Sequence, residues 1–243
     1  SCHPYKRAAL VYQPHHNHIF KTMVGNSYRL PSWQELYTQN NPARIGNPNL
    51  EPEHVTSYEG QYIYKPSSSV FLGLNAFYLE NEEQITANTT SKEYENISNR
   101  TIKGVEAEFR GNYREDDSFA FSYSYISGEA IKRNQQIDYL PFASTHLIKG
   151  ALSYSLTPEI KAALTGRYAS EKKRRPYDGR PSMESFSTID VTLGWEGEHG
   201  IYVQGSIKNI FNSIYRYPST ANTYPDDYPV EGRVLWIRSG WKF

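Results

Sequence analysis

The sequence predicts an all-β fold in which antiparallel strands cross a membrane as part of a β-barrel. Three observations support this prediction: the composition, the alternation of residue types along short segments, and the lengths of the connections between those segments. Only 38% of the residues are hydrophobic, whereas 14% are aromatic and 21 are Tyr. Such a chain is short of aliphatic residues for a thick dry core, and it suits a sheet whose two faces meet different solvents.

Alternation of apolar with small or polar residues is the clearest of the three signals. Segment 118–126 places aromatic residues at its odd positions, and segments 189–195 and 201–207 alternate in the same way. Each pattern predicts a strand with one apolar face and one small or polar face. We predict about eleven such strands, each of the length that crosses a bilayer at a tilt, at 6–13, 18–29, 54–64, 69–80, 101–113, 118–127, 146–156, 159–169, 185–195, 200–211 and 232–243.

The predicted connections alternate strictly between short and long. The short ones lie at 14–17, 65–68, 114–117, 157–158 and 196–199, and the long ones at 30–53, 81–100, 128–145, 170–184 and 212–231. Outer-membrane barrels have short periplasmic turns and long extracellular loops, which places the C-terminal residue Phe243 in the periplasm. An odd number of strands then places Ser1 outside the cell, although single-chain bacterial barrels start in the periplasm. Residues 1–243 are therefore expected to be a C-terminal fragment, or one part of a larger barrel wall, without its N-terminal strands.

Other classes of protein receive little support. The formal net charge is +0, so no global field favours nucleic acid. No apolar run approaches the ~20 residues of a helical membrane span. The cluster of His15, His16 and His18 lies in a short turn and is interpreted as solvated, so no metal or cofactor is expected. An enzyme would need a paired nucleophile and base, and the nearest pair, Ser144 and His146, has no evident acid partner.

Four motifs in order suggest a family. They are YRLPSWQELY at 28–37 followed by GNPNLEPE at 46–53, IKGVEAEF at 102–109, NIFN at 209–212, and GWKF at 240–243. Together they resemble the C-terminal barrel portion of TonB-dependent outer-membrane receptors of the siderophore-receptor type. The resemblance implies a plugged barrel of ~22 strands in the bacterial outer membrane, of which residues 1–243 would be the C-terminal half. Such receptors take up an iron–siderophore complex, haem, cobalamin or another scarce nutrient. Energy would come from a TonB partner that acts on a plug encoded N-terminal to this chain. A passive porin-like barrel is the alternative.

The long loops contain the candidate ligand-binding residues. Arg174, Arg175 and Tyr177 form a basic, Tyr-containing stretch that suits an anionic siderophore or lipopolysaccharide phosphates, although a solvated basic loop is equally consistent. The other candidates are aromatic or basic residues of the first and last long loops: Trp33, Tyr37, Arg44, Tyr217 and Tyr224. The tyrosines also suit an aromatic girdle at the membrane interface.

The chain ends on an aromatic pair, Trp241 and Phe243, that continues the outward face of the last strand. The resemblance implies that the barrel-assembly machinery reads this pair as a signal. An ordinary place in the lower aromatic girdle is compatible with that role.

Overall fold

The computed structural model describes residues 6–88, 90–132, 135–176, 178–219 and 224–241. A short helix, α1 (Trp33–Tyr37), is the one α-helix in these ranges. The strands are β1 (Arg7–His15), β2 (His18–Arg29), β3 (Glu53–Ser67), β4 (Val70–Ala87), β5 (Tyr94–Asn112), β6 (Ser118–Lys132), β7 (Gln135–Ile137), β8 (His146–Ser155), β9 (Ile160–Ala169), β10 (Phe186–Glu196), β11 (Ile201–Lys208), β12 (Arg216–Tyr217), β13 (Tyr228–Pro229) and β14 (Val234–Trp241).

Strands that follow one another along the chain are hydrogen-bonded neighbours. The order in the main sheet is β1-β2-β3-β4-β5-β6-β8-β9-β10-β11-β14, while β7 pairs with β6, and β12 pairs with β13 in a separate small sheet. The pairs β1–β2, β6–β8, β8–β9, β9–β10, β10–β11 and β11–β14 are antiparallel. The prediction of an antiparallel all-β chain is confirmed, and each of the eleven predicted strands corresponds to one strand of this sheet.

Four of the predicted long loops contain regular structure that the sequence did not predict. Strand β4 runs 7 residues into the predicted loop 81–100, and β5 begins inside it at Tyr94. The end of β6 and all of β7 occupy part of 128–145, α1 lies within 30–53, and β12 and β13 lie within 212–231. Strands of 18 and 19 residues are longer than the ~9–11 that cross a bilayer. The extension of β4 begins with four polar residues, Asn81–Gln84, so no apolar alternation marks it.

Contacts divide the chain into two compact units. The first comprises Ser1–Tyr62, Asn75–Val105 and Ile126–Leu140, and the second comprises Ile63–Leu74, Glu106–Tyr125 and Pro141–Phe243. No helix in the described residues is long and apolar enough to cross a membrane.

The apolar side chains of the strands are exposed rather than packed into a core. In β10 the exposed positions are Val191, Leu193 and Trp195, and in β14 Ile237 is 81% exposed. Val191 pairs with Ile207 and Trp195 with Val203 across β10 and β11, so one side of these strands is a continuous apolar face. The opposite side, here called the polar face, carries residues such as Thr192, Ser206 and Gln204. So large an exposed apolar surface is unfavourable in water but favourable in lipid.

Short turns join the strands at the end opposite the long loops. The turn after β10 contains His199 (φ 60°) and Gly200 (φ 76°), both in the left-handed region that favours glycine. Trp241 Nε1 donates to the carbonyl oxygen of His199, which ties the last strand to this turn. Asp117, in the turn after β5, is buried, and its Oδ1 accepts the Ser155 N–H at 2.6 Å.

The two faces predict unequal tolerance to charge. Val191, the central residue of β10, is on the apolar face, so Val191→Arg should destabilise the full-length protein by about 2–4 kcal/mol in lipid vesicles. Thr192→Arg, on the polar face of the same strand and opposite Ala163 and Ser206, is the matched control and should cost far less. Urea unfolding of the refolded protein measures both, and equal losses would contradict this assignment of faces.

Candidate functional site

The first long loop is fixed at both ends by one arginine. Arg29, the last residue of β2, lies 2.8 Å (Nη1) from Glu35 Oε2 and 2.7 Å (Nη2) from Glu53 Oε1. Glu53 begins β3, and its Oε1 also accepts the backbone N–H of Ile85 at 2.8 Å. The loop leaves the sheet at Arg29 and re-enters it at Glu53, so the ion pair closes the loop at its base.

Helix α1 presents two aromatic rings from this loop. Ser32 caps the helix: its Oγ accepts the Glu35 N–H at 3.2 Å, while the Ser32 N–H donates to Glu35 Oε2 at 2.8 Å. Burial raises the pKa of the Glu35 carboxyl, but the hydrogen bonds from Arg29 and Ser32 outweigh it and hold that pKa below its usual range. Trp33 and Tyr37 are 81% and 53% exposed, and their ring centroids are 5.4 Å apart. The structure thus brings two predicted ligand residues together on an anchored support.

The remainder of the loop lies against the ends of β4 and β5. The Gly46 N–H donates to Thr38 at 2.8 Å, and a Cβ on Gly46 would come within 2.5 Å of the Thr38 nitrogen, so only glycine fits there. Asn96 holds Glu51 by two hydrogen bonds of 2.8 and 2.9 Å. Arg44 is exposed, and its Nη1 donates to the carbonyl of its neighbour Ala43 at 2.7 Å. The structure therefore does not show Arg44 bonded to the aromatic pair.

In the second unit, a buried cluster of charges joins two other long loops. We call it the loop clamp; its members are Arg174, Asp178, Arg180, Ser219 and Asp227. Arg174 donates to both carboxylate oxygens of Asp227, to Oδ1 at 3.0 Å, and these side chains are only 7% and 8% exposed. Arg180 Nη2 lies 2.7 Å from Asp178 Oδ2, and its Nη1 lies 3.3 Å from Asp227 Oδ1. The Ser219 N–H donates to the same oxygen at 3.0 Å.

The charges of the loop clamp hold its carboxylates ionised. The hydrogen bond from Arg180 lowers the pKa of Asp178 to about 2. The hydrogen bond from Arg174 lowers the pKa of Asp227 far below its usual range and outweighs the opposing effect of burial. Each carboxylate is thus ionised at any physiological pH. The ion pairs that join Arg174 and Arg180 to Asp227 therefore persist over that whole range.

Aromatic rings gather beside the clamp. Tyr224 stacks on Tyr228 with centroids 5.5 Å apart, and β12–β13 pairing sets Tyr228 opposite Tyr217. Phe186 is buried and stacks on Tyr215 at 4.0 Å. The predicted residues Tyr217 and Tyr224 are therefore brought together through Tyr228.

The basic stretch divides into residues with different surroundings. Arg174 was expected to face a ligand, but the structure places its guanidinium inside the clamp. Arg175 is exposed, and its Cζ lies 5.7 Å from the centroid of the Phe142 ring. Tyr177 lies outside the described residues, as does Phe243, and Trp241 is exposed on the apolar face.

Two further groups of residues in the sequence are of types that form catalytic or metal sites. Ser144 Oγ donates to the Ser170 carbonyl at 2.9 Å, while His146 Nδ1 lies 2.9 Å from the Tyr123 hydroxyl, so these side chains bond to other residues instead of forming a Ser–His pair. Within the ranges that the structure describes, no group of three or more His, Cys, Asp or Glu is arranged to hold a metal ion.

Comparison with known proteins identifies the family. The family model "TonB dependent receptor-like, beta-barrel" matches residues 5–210, and the chain therefore belongs to this family of bacterial outer-membrane barrels, which are transporters and not enzymes. The ferric-catecholate import receptor Fiu from E. coli K12 is similar over 96% of this chain and 34% of its own, with 17% identity and a TM-score of 0.80. The ferric yersiniabactin uptake receptor FyuA from Yersinia pestis has 16% identity over 96% of this chain and 36% of its own, with a TM-score of 0.74.

A third similar structure belongs to a transporter of a different cargo. The copper transporter OprC shares 14% identity over 98% of this chain and 39% of its own, with a TM-score of 0.76. At these identities the likeness establishes the fold alone. The chain spans between 34% and 39% of the length of these three proteins.

Removing one partner of the clamp should release both loops. Asp227→Asn leaves Arg174 buried without its hydrogen-bonded counter-charge, because the next carboxylate, Asp178, is 3.9 Å away; breaking a buried pair in this way costs about 3–5 kcal/mol. We expect trypsin to cut the folded full-length variant after Lys172 and Lys173 much faster than it cuts the wild type. Asp226→Asn changes an exposed neighbouring carboxylate and should leave cleavage unchanged; equal cleavage of both variants and the wild type would show that the clamp does not hold the loops.

The clamp should also resist acid. A carboxyl whose folded pKa is depressed contributes stability that is present above its unfolded pKa, ~3.9 for Asp. That stability is lost as the pH falls through the folded pKa, about 2 for Asp178 and lower for Asp227. Cleavage of these loops by pepsin should therefore stay slow near pH 4 and accelerate only as the pH falls towards 2. Acceleration already near pH 4 would contradict the depressed pKa values, and Asp227→Asn should show fast cleavage throughout.

Proposed function

We propose that this chain forms the C-terminal barrel wall and outer loops of a receptor that imports an iron–siderophore complex across the outer membrane. The match of residues 5–210 to the TonB-dependent receptor barrel family is the observation that carries the proposal. In the proposed mechanism the outer loops capture the complex, and a plug pulled by TonB then releases it inward. The family match disfavours a passive porin, because porins need neither plug nor TonB.

The length of the chain supports the view that residues 1–243 are part of a larger barrel. The chain spans between 34% and 39% of the length of the three similar proteins named above. We propose that the N-terminal part of the full-length protein supplies the remaining strands of the barrel and the plug.

An anionic iron chelate suits the exposed loop residues better than a bare metal ion does. The proposed ligand contacts are Trp33 and Tyr37 in the first unit and, in the second, residues that combine positive charge with aromatic rings: Arg175, Tyr177, Tyr217 and Tyr224. Arg44 is a further candidate, and Arg174 would act by holding its loop in place. Guanidinium groups and tyrosine rings recognise carboxylate- or catecholate-bearing siderophores. A copper cargo would favour soft sulfur or imidazole ligands, whereas the five predicted long loops contain no His, no Cys and a single Met, Met183.

Two further partners follow from the position of the chain in the outer membrane. We propose that Trp241 and Phe243 are read by the barrel-assembly machinery during insertion. The exposed basic residues of the outer loops would also meet the phosphates of lipopolysaccharide, and the apolar face would meet lipid.

Uptake by cells tests the proposed function. The full-length gene is expressed in iron-starved cells that lack their own siderophore receptors, with or without a functional TonB. We expect growth on at least one member of a panel of ferric catecholate, carboxylate and hydroxamate siderophores, and only in cells with TonB. Growth that is independent of TonB would indicate a passive barrel, and no growth on any chelate would contradict the iron–siderophore proposal.

Loop variants are the controls for this assay. Trp33→Ala with Tyr37→Ala removes both exposed rings of α1 and should raise the chelate concentration needed for growth by about thirtyfold, as expected when two ring contacts of ~1 kcal/mol each are lost. Tyr113→Ala removes an exposed ring near the short-turn end of the second unit and should have no effect.

A further inference from the structure

One arginine of the first unit holds two carboxylates, each through two hydrogen bonds. Arg29 Nε and Nη2 donate to Glu53 at 2.9 and 2.7 Å, while its Nη1 and Nη2 donate to Glu35 at 2.8 and 3.0 Å. A planar guanidinium with five N–H donors can bind two carboxylates in this way at once. A lysine ammonium is a point charge with three donors and cannot, so the geometry requires arginine at this position.

The two carboxylates belong to different parts of the first unit. Glu53 begins β3, its side chain is 10% exposed, and its Oε1 also accepts the N–H of Ile85 on β4 at 2.8 Å. Glu35 lies on α1, and its side chain is 14% exposed. Arg29, at the end of β2, therefore connects α1 to a point that three strands hold in place.

Helix α1 depends on such contacts for its orientation. It has five residues, far fewer than the ~12–15 that an isolated helix needs to be stable, and none of the five is buried. Backbone hydrogen bonds join it to its own loop: the Asn47 N–H donates to the Glu35 carbonyl, and the Gly46 N–H donates to the Thr38 carbonyl, both at 2.8 Å. The Glu35 side chain, in contrast, joins α1 to the sheet through Arg29.

The place of Glu35 on the helix determines where the two rings point. Successive residues of an α-helix are rotated by about 100°, so Trp33 and Tyr37 lie ~40° apart on one side of α1, and Glu35 lies ~160° from each of them. Their ring centroids are 5.4 Å apart, as expected for two side chains on one side of a helix. Because Arg29 holds Glu35 against the strands, both rings are turned away from the ion pairs.

We infer that Arg29 is a positioning residue for ligand capture: through Glu35 it sets the direction in which Trp33 and Tyr37 meet an incoming ligand. The inference rests on the proposed function, in which these two rings are ligand contacts. Arg29 acts through α1 and not by touching the ligand, so its whole effect on capture passes through the rings. Side chains on a support that is already oriented lose less conformational freedom on binding, which favours tight capture.

Fluorine NMR of the full-length receptor, labelled with fluorotryptophan, tests the orientation of α1 without any ligand. A Trp33→Phe variant identifies the resonance of Trp33. Glu35→Gln is the decisive variant, because it removes the charge that Arg29 binds on α1 while Arg29 keeps both hydrogen bonds to Glu53 at the base of the loop. A glutamine oxygen can still accept the Ser32 N–H, so the helix keeps its cap.

We expect the Trp33 resonance to shift or broaden in Glu35→Gln, and also in Arg29→Lys, because lysine cannot bind both carboxylates. The resonances of the other tryptophans should stay where they are in the wild type, which shows that the barrel remains folded. Glu51→Gln is the matched control: it is the same substitution at an exposed position of the same loop, and it should leave the Trp33 resonance unchanged.

Growth on the siderophore panel separates positioning from a general structural role. The chelate that supports growth at the lowest concentration is used for all variants. Arg29→Lys and Glu35→Gln should each raise the concentration needed by at least about fivefold, as the loss of one ring contact of ~1 kcal/mol requires. In a receptor that already carries Trp33→Ala and Tyr37→Ala, the same substitutions should have no further effect, because no ring remains to be positioned.

Two outcomes would overturn the role of Arg29 alone. One is an unchanged Trp33 resonance in both Glu35→Gln and Arg29→Lys. The other is a loss of growth from these substitutions that adds to the loss from removing the rings, since a residue that acts through the rings cannot have an effect without them. Absence of growth of the wild type on every chelate would instead overturn the proposed function, and the role in capture with it.

Discussion

The need to pair every backbone polar group inside the sheet is the constraint on which the rest of this structure depends. Lipid offers no hydrogen bonds, so strands that cross it must bond to neighbours on both sides. A chain that pairs each strand with the next one satisfies this need with the shortest connections, and that is the order from β1 to β14. Once the register is fixed, alternate side chains must face lipid, which explains the exposed row of Val191, Leu193 and Trp195.

This constraint also explains which parts of the fold could be predicted. Strand β10 was predicted to within one residue at each end, because lipid on one side imposes a strict alternation on the sequence. The extension of β4 was mistaken for loop, because Asn81–Gln84 are all polar and show no alternation. Helix α1 was also not predicted, although Ser32 and Glu35 form its capping box. A five-residue helix is too short for any periodic signal.

The candidate site was less predictable than the fold, because its contacts join residues far apart in the chain. The motif at 28–53 was noticed by resemblance, and only the structure shows that Arg29 holds Glu35 and Glu53 together. The basic run containing Arg174 suggested a surface for ligands. Its guanidinium is nevertheless buried by a partner 53 residues away, Asp227. The exposure of the aromatic loop residues was easier to predict than that of the basic ones, since rings outside the membrane remain exposed unless another element covers them.

The loop clamp shows what charged residues contribute where the loops leave the sheet. In the clamp each arginine has a carboxylate, so the charges offset one another and hold backbone segments in place. The aromatic residues Tyr217 and Tyr224 lie in one of the two loops that the clamp joins, so their backbone is held before any ligand arrives. Side chains that are already held lose less conformational freedom on binding, so a rigid clamp would favour tight capture by these loops.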